Sequence, residues 1–186
     1  FLLFIMSLPI FLETEIILRL WLKIVPEYTV IFTRLIIVNI LIDSISGPLM
    51  TAAQASGRIK MYQSIVGGLL ILNLPISYLF LKLGFAPQIT IYVNIFISII
   101  ALYARLKIIN PLVNMKIMEY MNEVVFRIIS VAVIAFTPPF IIFYSLDGNF
   151  VRLLLTGAIS VISVLTSIYY LGLNKSEKQF MASKVK

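Results

Sequence analysis

FVRLLLTGAISVISVLTSIYYLG, residues 150–172, carries one charge, Arg152, close to its start. A helix crossing the hydrocarbon core of a bilayer needs ~20 mostly apolar residues, at a rise of about 1.5 Å each. This stretch is long enough and contains no proline. Its polar residues are not scattered. At ~100° per residue, Arg152, Thr156, Ser160, Ser163, Ser167 and Tyr170 form one stripe along the helix. A membrane helix with an apolar surface and one polar seam is the unit from which the rest of the chain is read.

Outward from this segment the pattern recurs. Apolar runs fall at about 1–12, 28–50, 61–81, 86–104 and 124–144, which with 150–172 makes six predicted spans. The predicted fold class is an all-α polytopic transmembrane bundle over residues 1–172, with a basic tail at 173–186. Only helices satisfy their own backbone hydrogen bonds at this length and hydrophobicity. The connectors Leu83-Gly84-Phe85-Ala86-Pro87 and Leu146-Asp147-Gly148-Asn149 have turn composition. Residues 13–27 read either as an interfacial segment with Trp21 at headgroup level or as an extension of the first span. Residues 105–123, with the breaker Asn110-Pro111, read as an amphipathic surface helix. The chain opens at Phe1 inside an apolar run without a basic leader, which is expected of a piece that begins partway through a membrane helix.

Composition agrees with this reading. Of 186 residues, 61% are apolar and 12% charged, and mean hydropathy is +1.05. A soluble domain has ~45–50% apolar and ~25% charged residues. The absence of Cys excludes disulfides and thiolate chemistry, and the absence of His removes the commonest general base and metal ligand. No phosphate-binding glycine loop or zinc-ligand spacing is present. No cofactor and no catalytic role are expected. The net charge of +7 is spread between apolar runs, which favours an orientation signal over nucleic-acid binding. Arg58, Lys60, Arg105, Lys107, Lys116, Arg127, Lys175, Lys178, Lys184 and Lys186 fall on one side of the predicted topology. Arg19, Lys23, Arg34, Lys82 and Arg152 fall on the other. The richer side is the cytoplasmic one, and it holds the C-terminus.

Polar residues within spans mark either helix packing or a wet cavity. Asn39, Asp43 and Ser46 share a face, as do Thr90, Asn94, Ser98 and Arg105, while Gln63, Asn73 and Ser77 fall in the third span beside Pro75. The residues taken as candidate cavity or substrate-path positions are Asn39, Asp43, Asn73, Asn94, Ser98, Thr156, Ser160 and Ser163. Packing stands as the alternative for each hydroxyl, and Ser64-x-x-x-Gly68 fits packing better than a cavity. Asp43 is the one carboxylate well inside a span and must be paired, protonated or hydrated, which makes it the candidate for H+ or Na+ coupling. Pro9, Pro75 and the Pro138-Pro139 pair are expected to kink or break their helices.

Several stretches together carry a family resemblance. They are ILRLWL at 17–22, PEY at 26–28, SGPL at 46–49, TAAQASGRIKMYQ at 51–63, GGLL at 67–70, NLPISY at 73–78 and KLGFAP at 82–87. The chain resembles the C-terminal part of bacterial polysaccharide flippases, the O-antigen or lipopolysaccharide transporters of the Wzx type. These belong to the multidrug/oligosaccharidyl-lipid/polysaccharide exporter superfamily. The resemblance is densest over residues 15–90, and beyond them it rests on span spacing and the basic tail. It implies most of the second lobe of a two-lobed transporter in the bacterial inner membrane, moving undecaprenyl-linked oligosaccharides by alternating access. Arg58 and Arg105, at helix ends, would then attract the pyrophosphate, with the positive-inside signal as the alternative reading. The rival functions are a multidrug/cation antiporter of the same superfamily, a polytopic enzyme of surface-polysaccharide assembly, and a non-catalytic membrane scaffold.

Overall fold

A computed structural model describes residues 1–57, 59–113, 116–173 and 178 of the chain. Among these the protein is all-helical, without strands. The helices are α1 (Leu2–Leu12), α2 (Thr14–Trp21), α3 (Thr29–Ile45), α4 (Gly47–Ala55), α5 (Ile59–Ile71), α6 (Asn73–Lys82), α7 (Ile89–Val113), α8 (Ile117–Tyr120), α9 (Arg127–Ser145) and α10 (Phe150–Ser167). Wider π-helical turns cover Met121–Phe126 and Ile168–Gly172. Taken through their interruptions, five segments are long and apolar enough to cross a membrane: Thr29–Ala55, Ile59–Lys82, Ile89–Pro111, Ile117–Ser145 and Phe150–Gly172. Leu2–Leu12 is apolar but shorter. This is the architecture of a membrane-embedded protein.

Two connectors differ from the expectation. The gap left between the predicted spans 28–50 and 61–81 is partly helical, with residues 51–55 within α4. Among the described residues of 105–123, α7 runs on to Val113, and Ile117–Tyr120 begins the membrane-length segment Ile117–Ser145.

The chain forms two compact units, residues 1–25 with 122–186 and residues 26–121. In the first, α10 packs on α9 and α1. Ile5, Leu8 and Leu12, at helical spacing on α1, meet Ala135 of α9 and Val164 of α10, with Phe4, Phe11, Phe136 and Phe143 around them. Phe11 and Phe136 meet edge to face at 6.3 Å. In the second, α7 is the central element and touches α3, α4, α5 and α6. Its buried face is Val93, Ile97, Ser98, Ala101, Leu106 and Ile109. Lipid tails are as apolar as leucine, so helices in a bilayer gain by close fit and hydrogen bonding rather than by escape from water. The small residues Ala53, Ser98, Ala101, Ala135 and Ser160 are accordingly among the most completely buried.

Local chemistry sets the helix ends. Asn149 caps α10, its side-chain oxygen accepting from the Arg152 N–H at 2.9 Å. At the end of α6, Gly84 takes φ +87°, a left-handed conformation a side chain would strain. The Phe85 N–H then reaches the Phe80 carbonyl at 3.2 Å and the Gly84 N–H the Leu81 carbonyl at 3.0 Å. The Phe80 and Phe85 rings close this turn edge to face at 5.4 Å, and Pro87 follows.

The tandem prolines do not break their helix. Pro138 and Pro139 lie inside an unbroken α9. Pro139 withdraws the N–H that the Ala135 carbonyl would accept four residues earlier. The Ser163 hydroxyl of α10 donates to that carbonyl at 2.9 Å in a buried contact. One helix therefore supplies the donor its neighbour lacks. Ser163→Ala should destabilise the protein by about 1–2 kcal/mol, through a buried carbonyl without a donor. In a Pro139→Ala background, where α9 can restore its own hydrogen bond, the same substitution should cost much less. Reversible unfolding of the four variants in a double-mutant cycle measures the difference.

Candidate functional site

The first unit buries an ion pair. Glu13 follows α1 and its side chain is 0% exposed, while the Arg152 side chain, in the first turn of α10, is 14% exposed. Arg152 donates from Nε to Glu13 Oε1 and from Nη2 to Oε2, both at 3.0 Å. The planar guanidinium thus matches the carboxylate fork to fork, its strongest geometry. Arg152 Nη1 reaches the carbonyls of Phe143 at 3.4 Å and Leu146 at 3.3 Å. The guanidinium carbon stands 4.4 Å from the centre of the Phe143 ring. Arg152 thereby ties the end of α1 to the end of α9 and the start of α10. Glu13 was not among the candidate positions. The available signal was its place in the topology: spans one and six end and begin on the same predicted side. Below the pair, Thr156, Ser160, Ser163 and Ser167 continue along α10 as buried residues.

The second unit brings two predicted residues together. Asn73 Nδ2 donates to Asn94 Oδ1 at 3.2 Å, and the Ser77 hydroxyl donates to Asn73 Oδ1 at 2.9 Å. α6 and α7 form a hairpin about Gly84, which places positions 73 and 94 at the same depth. Asn73 opens α6, directly after the helix is interrupted at Leu72, and Pro75 falls in the same turn. A similar interruption separates α3 from α4 at Ser46, ahead of Pro48. Here the Tyr120 hydroxyl of α8 donates to the Ile45 carbonyl at 2.7 Å and holds the break from another element. One turn before it, Asn39 Nδ2 donates to Asp43 Oδ2 at 3.1 Å. Asp43 is exposed on the surface of its unit, while Asn39 Oδ1 is buried without a hydrogen-bond partner.

Ser98 is buried in the α7 face. Arg105, also on α7, lies beside the Tyr62 hydroxyl of α5, and its Nε and Nη1 are buried without hydrogen-bond partners. Arg58 lies outside the described residues, as does most of the 173–186 tail. Among the described residues no group of three acidic, His or Cys side chains could hold a metal ion.

The chain was compared with protein-family models, curated proteins and solved structures, and none of the three comparisons returned a match.

Two perturbations probe these clusters. Arg152→Ala leaves Glu13 buried and unpaired, and removing one member of such a pair costs roughly 3–5 kcal/mol. Replacing both members by apolar residues, Glu13→Leu with Arg152→Met, should recover most of that loss in unfolding measurements. Asn73→Ala and Asn94→Ala should each cost about 1 kcal/mol. Their combination should cost less than the two effects added, because both remove the hydrogen bond between Asn73 and Asn94.

Proposed function

We propose that this chain is part of a membrane transporter, a flippase that carries lipid-linked oligosaccharide precursors across the bacterial inner membrane by alternating access. The observation that supports this reading is where its membrane-length helices are interrupted. Thr29–Ala55 passes through one irregular turn at Ser46, three residues beyond Asp43, and Ile59–Lys82 through another at Leu72, directly before Asn73, with helical backbone angles kept at both residues. Irregular turns inside membrane helices, with polar side chains beside them, suit a hydrophilic site within the bilayer of the kind transporters use. Amides and a carboxylate suit the hydroxyls of a sugar, while a prenyl chain needs only the surrounding lipid. The family resemblance of residues 15–90 adds to this reading, and the positive-inside bias would set the C-terminus in the cytoplasm. Asp43 is the candidate coupling residue for H+ or Na+: it stands one turn from a break, and the Asn39 amide holds its carboxylate from one side.

The complete natural polypeptide in proteoliposomes tests this reading. A polyprenyl-diphosphate oligosaccharide with a fluorescent sugar should become accessible to an outside quencher faster with the protein than without it. An applied H+ or Na+ gradient should raise the rate. Asp43→Asn should lose most of that gradient response while leaving the protein folded. Unchanged sugar-lipid movement combined with gradient-driven exchange of a cationic drug would replace the flippase by an antiporter.

A further inference from the structure

The α10 seam contains two hydroxyls that break a habit of this chain. Thr33, Ser130, Thr137, Ser145 and Thr166 each turn the hydroxyl back onto the carbonyl four residues earlier in the same helix. This back-bonding is the default for a helical Ser or Thr that meets nothing else. Thr156 Oγ1 and Ser160 Oγ do neither this nor anything else. Both side chains are 0% exposed, and both oxygens lack a hydrogen-bond partner. They share the face that carries Arg152 above and Ser163 below, against α9 and α1. A buried hydroxyl without a partner is destabilising, and here two stand one turn apart.

We propose that Thr156 and Ser160 hold a buried water molecule between them, in the contact of α10 with α1 and α9. The spacing fits a single bridge. Side chains four residues apart on a helix face have β-carbons ~5–6 Å apart, and a tetrahedral water with two hydrogen bonds of ~2.8 Å joins oxygens about 4.5 Å apart, within reach of two such hydroxyls. Helix carbonyls of the same turn have second lone pairs to complete its set of partners. The chemistry of the seam selects a neutral ligand. Both carboxylate oxygens of Glu13 are engaged by Arg152, and neither α1, α9 nor α10 carries another acidic residue to hold a cation. The Arg152 nitrogens are in turn engaged by Glu13, Phe143 and Leu146, which leaves no group for an anion. Hydroxyls that both donate and accept match water. The water then satisfies this stretch of the seam as Ser163 satisfies the next turn.

Stability of the whole chain in lipid–detergent micelles tests the bridge. Thr156→Val and Ser160→Ala should each lower the folded-to-unfolded ratio roughly five- to tenfold. The double variant should fall no further than about the worse single one, since either substitution removes a partner from the same water. Single variants as stable as the unsubstituted chain, or effects that simply multiply, would overturn the proposal. Where the variants do not fold, the unsubstituted chain decides by itself. With methyl-labelled threonine, magnetisation should pass from water to the Thr156 methyl group, and a dry Thr156 would overturn the bridge.

Discussion

Hydrocarbon offers no hydrogen bonds, and that constraint governs most of the polar arrangement of this chain. Several groups that their own helix does not satisfy find a partner on another element. The Glu13 carboxylate takes the Arg152 fork. The Ala135 carbonyl, deprived of its donor by Pro139, takes the Ser163 hydroxyl. The Ile45 carbonyl, at the end of α3, takes the Tyr120 hydroxyl across seventy-five residues of sequence. Asn73 and Asn94 take each other. Apolar packing is weakly selective among lipid-facing helices, so these contacts carry much of the information about which helix sits beside which.

The two units apply the constraint differently. The first is organised by one helix, α10, whose polar seam engages α1 and α9 while its other faces carry Leu154, Leu155, Ile162 and Leu165 outward. Its charged pair lies at the helix ends, where desolvation costs least and a bidentate geometry recovers most. The second is organised by α7, an uninterrupted helix flanked by two interrupted ones. α7 packs against all of the unit's other long helices and carries Asn94, while Asn39, Asp43 and Asn73 lie on the helices with the irregular turns.

Much of this was legible in the sequence because it depends on local periodicity. The apolar runs marked the helices, and the Gly84 turn fixed the depth at which Asn73 meets Asn94. The one-face spacing of Thr156, Ser160 and Ser163 marked a seam, and the structure gives their common burial. What was not legible depends on partners distant in sequence. Pro138-Pro139 signals a break when only α9 is considered, since the compensating hydroxyl comes from α10. Glu13 reads as an interfacial charge until α10 is brought beside it. The 105–123 stretch carries enough charge to suggest a surface helix, and charge composition does not reveal that α7 reaches Val113 or that a membrane-length segment begins at Ile117. The role of Asp43 stays with the functional proposal, since its hydrogen bond to Asn39 accounts for its pairing and not for its presence.

The exchange between Pro139 and Ser163 also bears on how the chain enters the membrane. While α9 is alone in lipid, its Ala135 carbonyl lacks the helical donor that Pro139 has removed. Only residues 146–149 separate it from α10. The missing donor thus lies within the next segment to be synthesised. Insertion of α9 and α10 as a single hairpin would spare α9 a period in lipid with that carbonyl unsatisfied, and a longer linker would extend the delay.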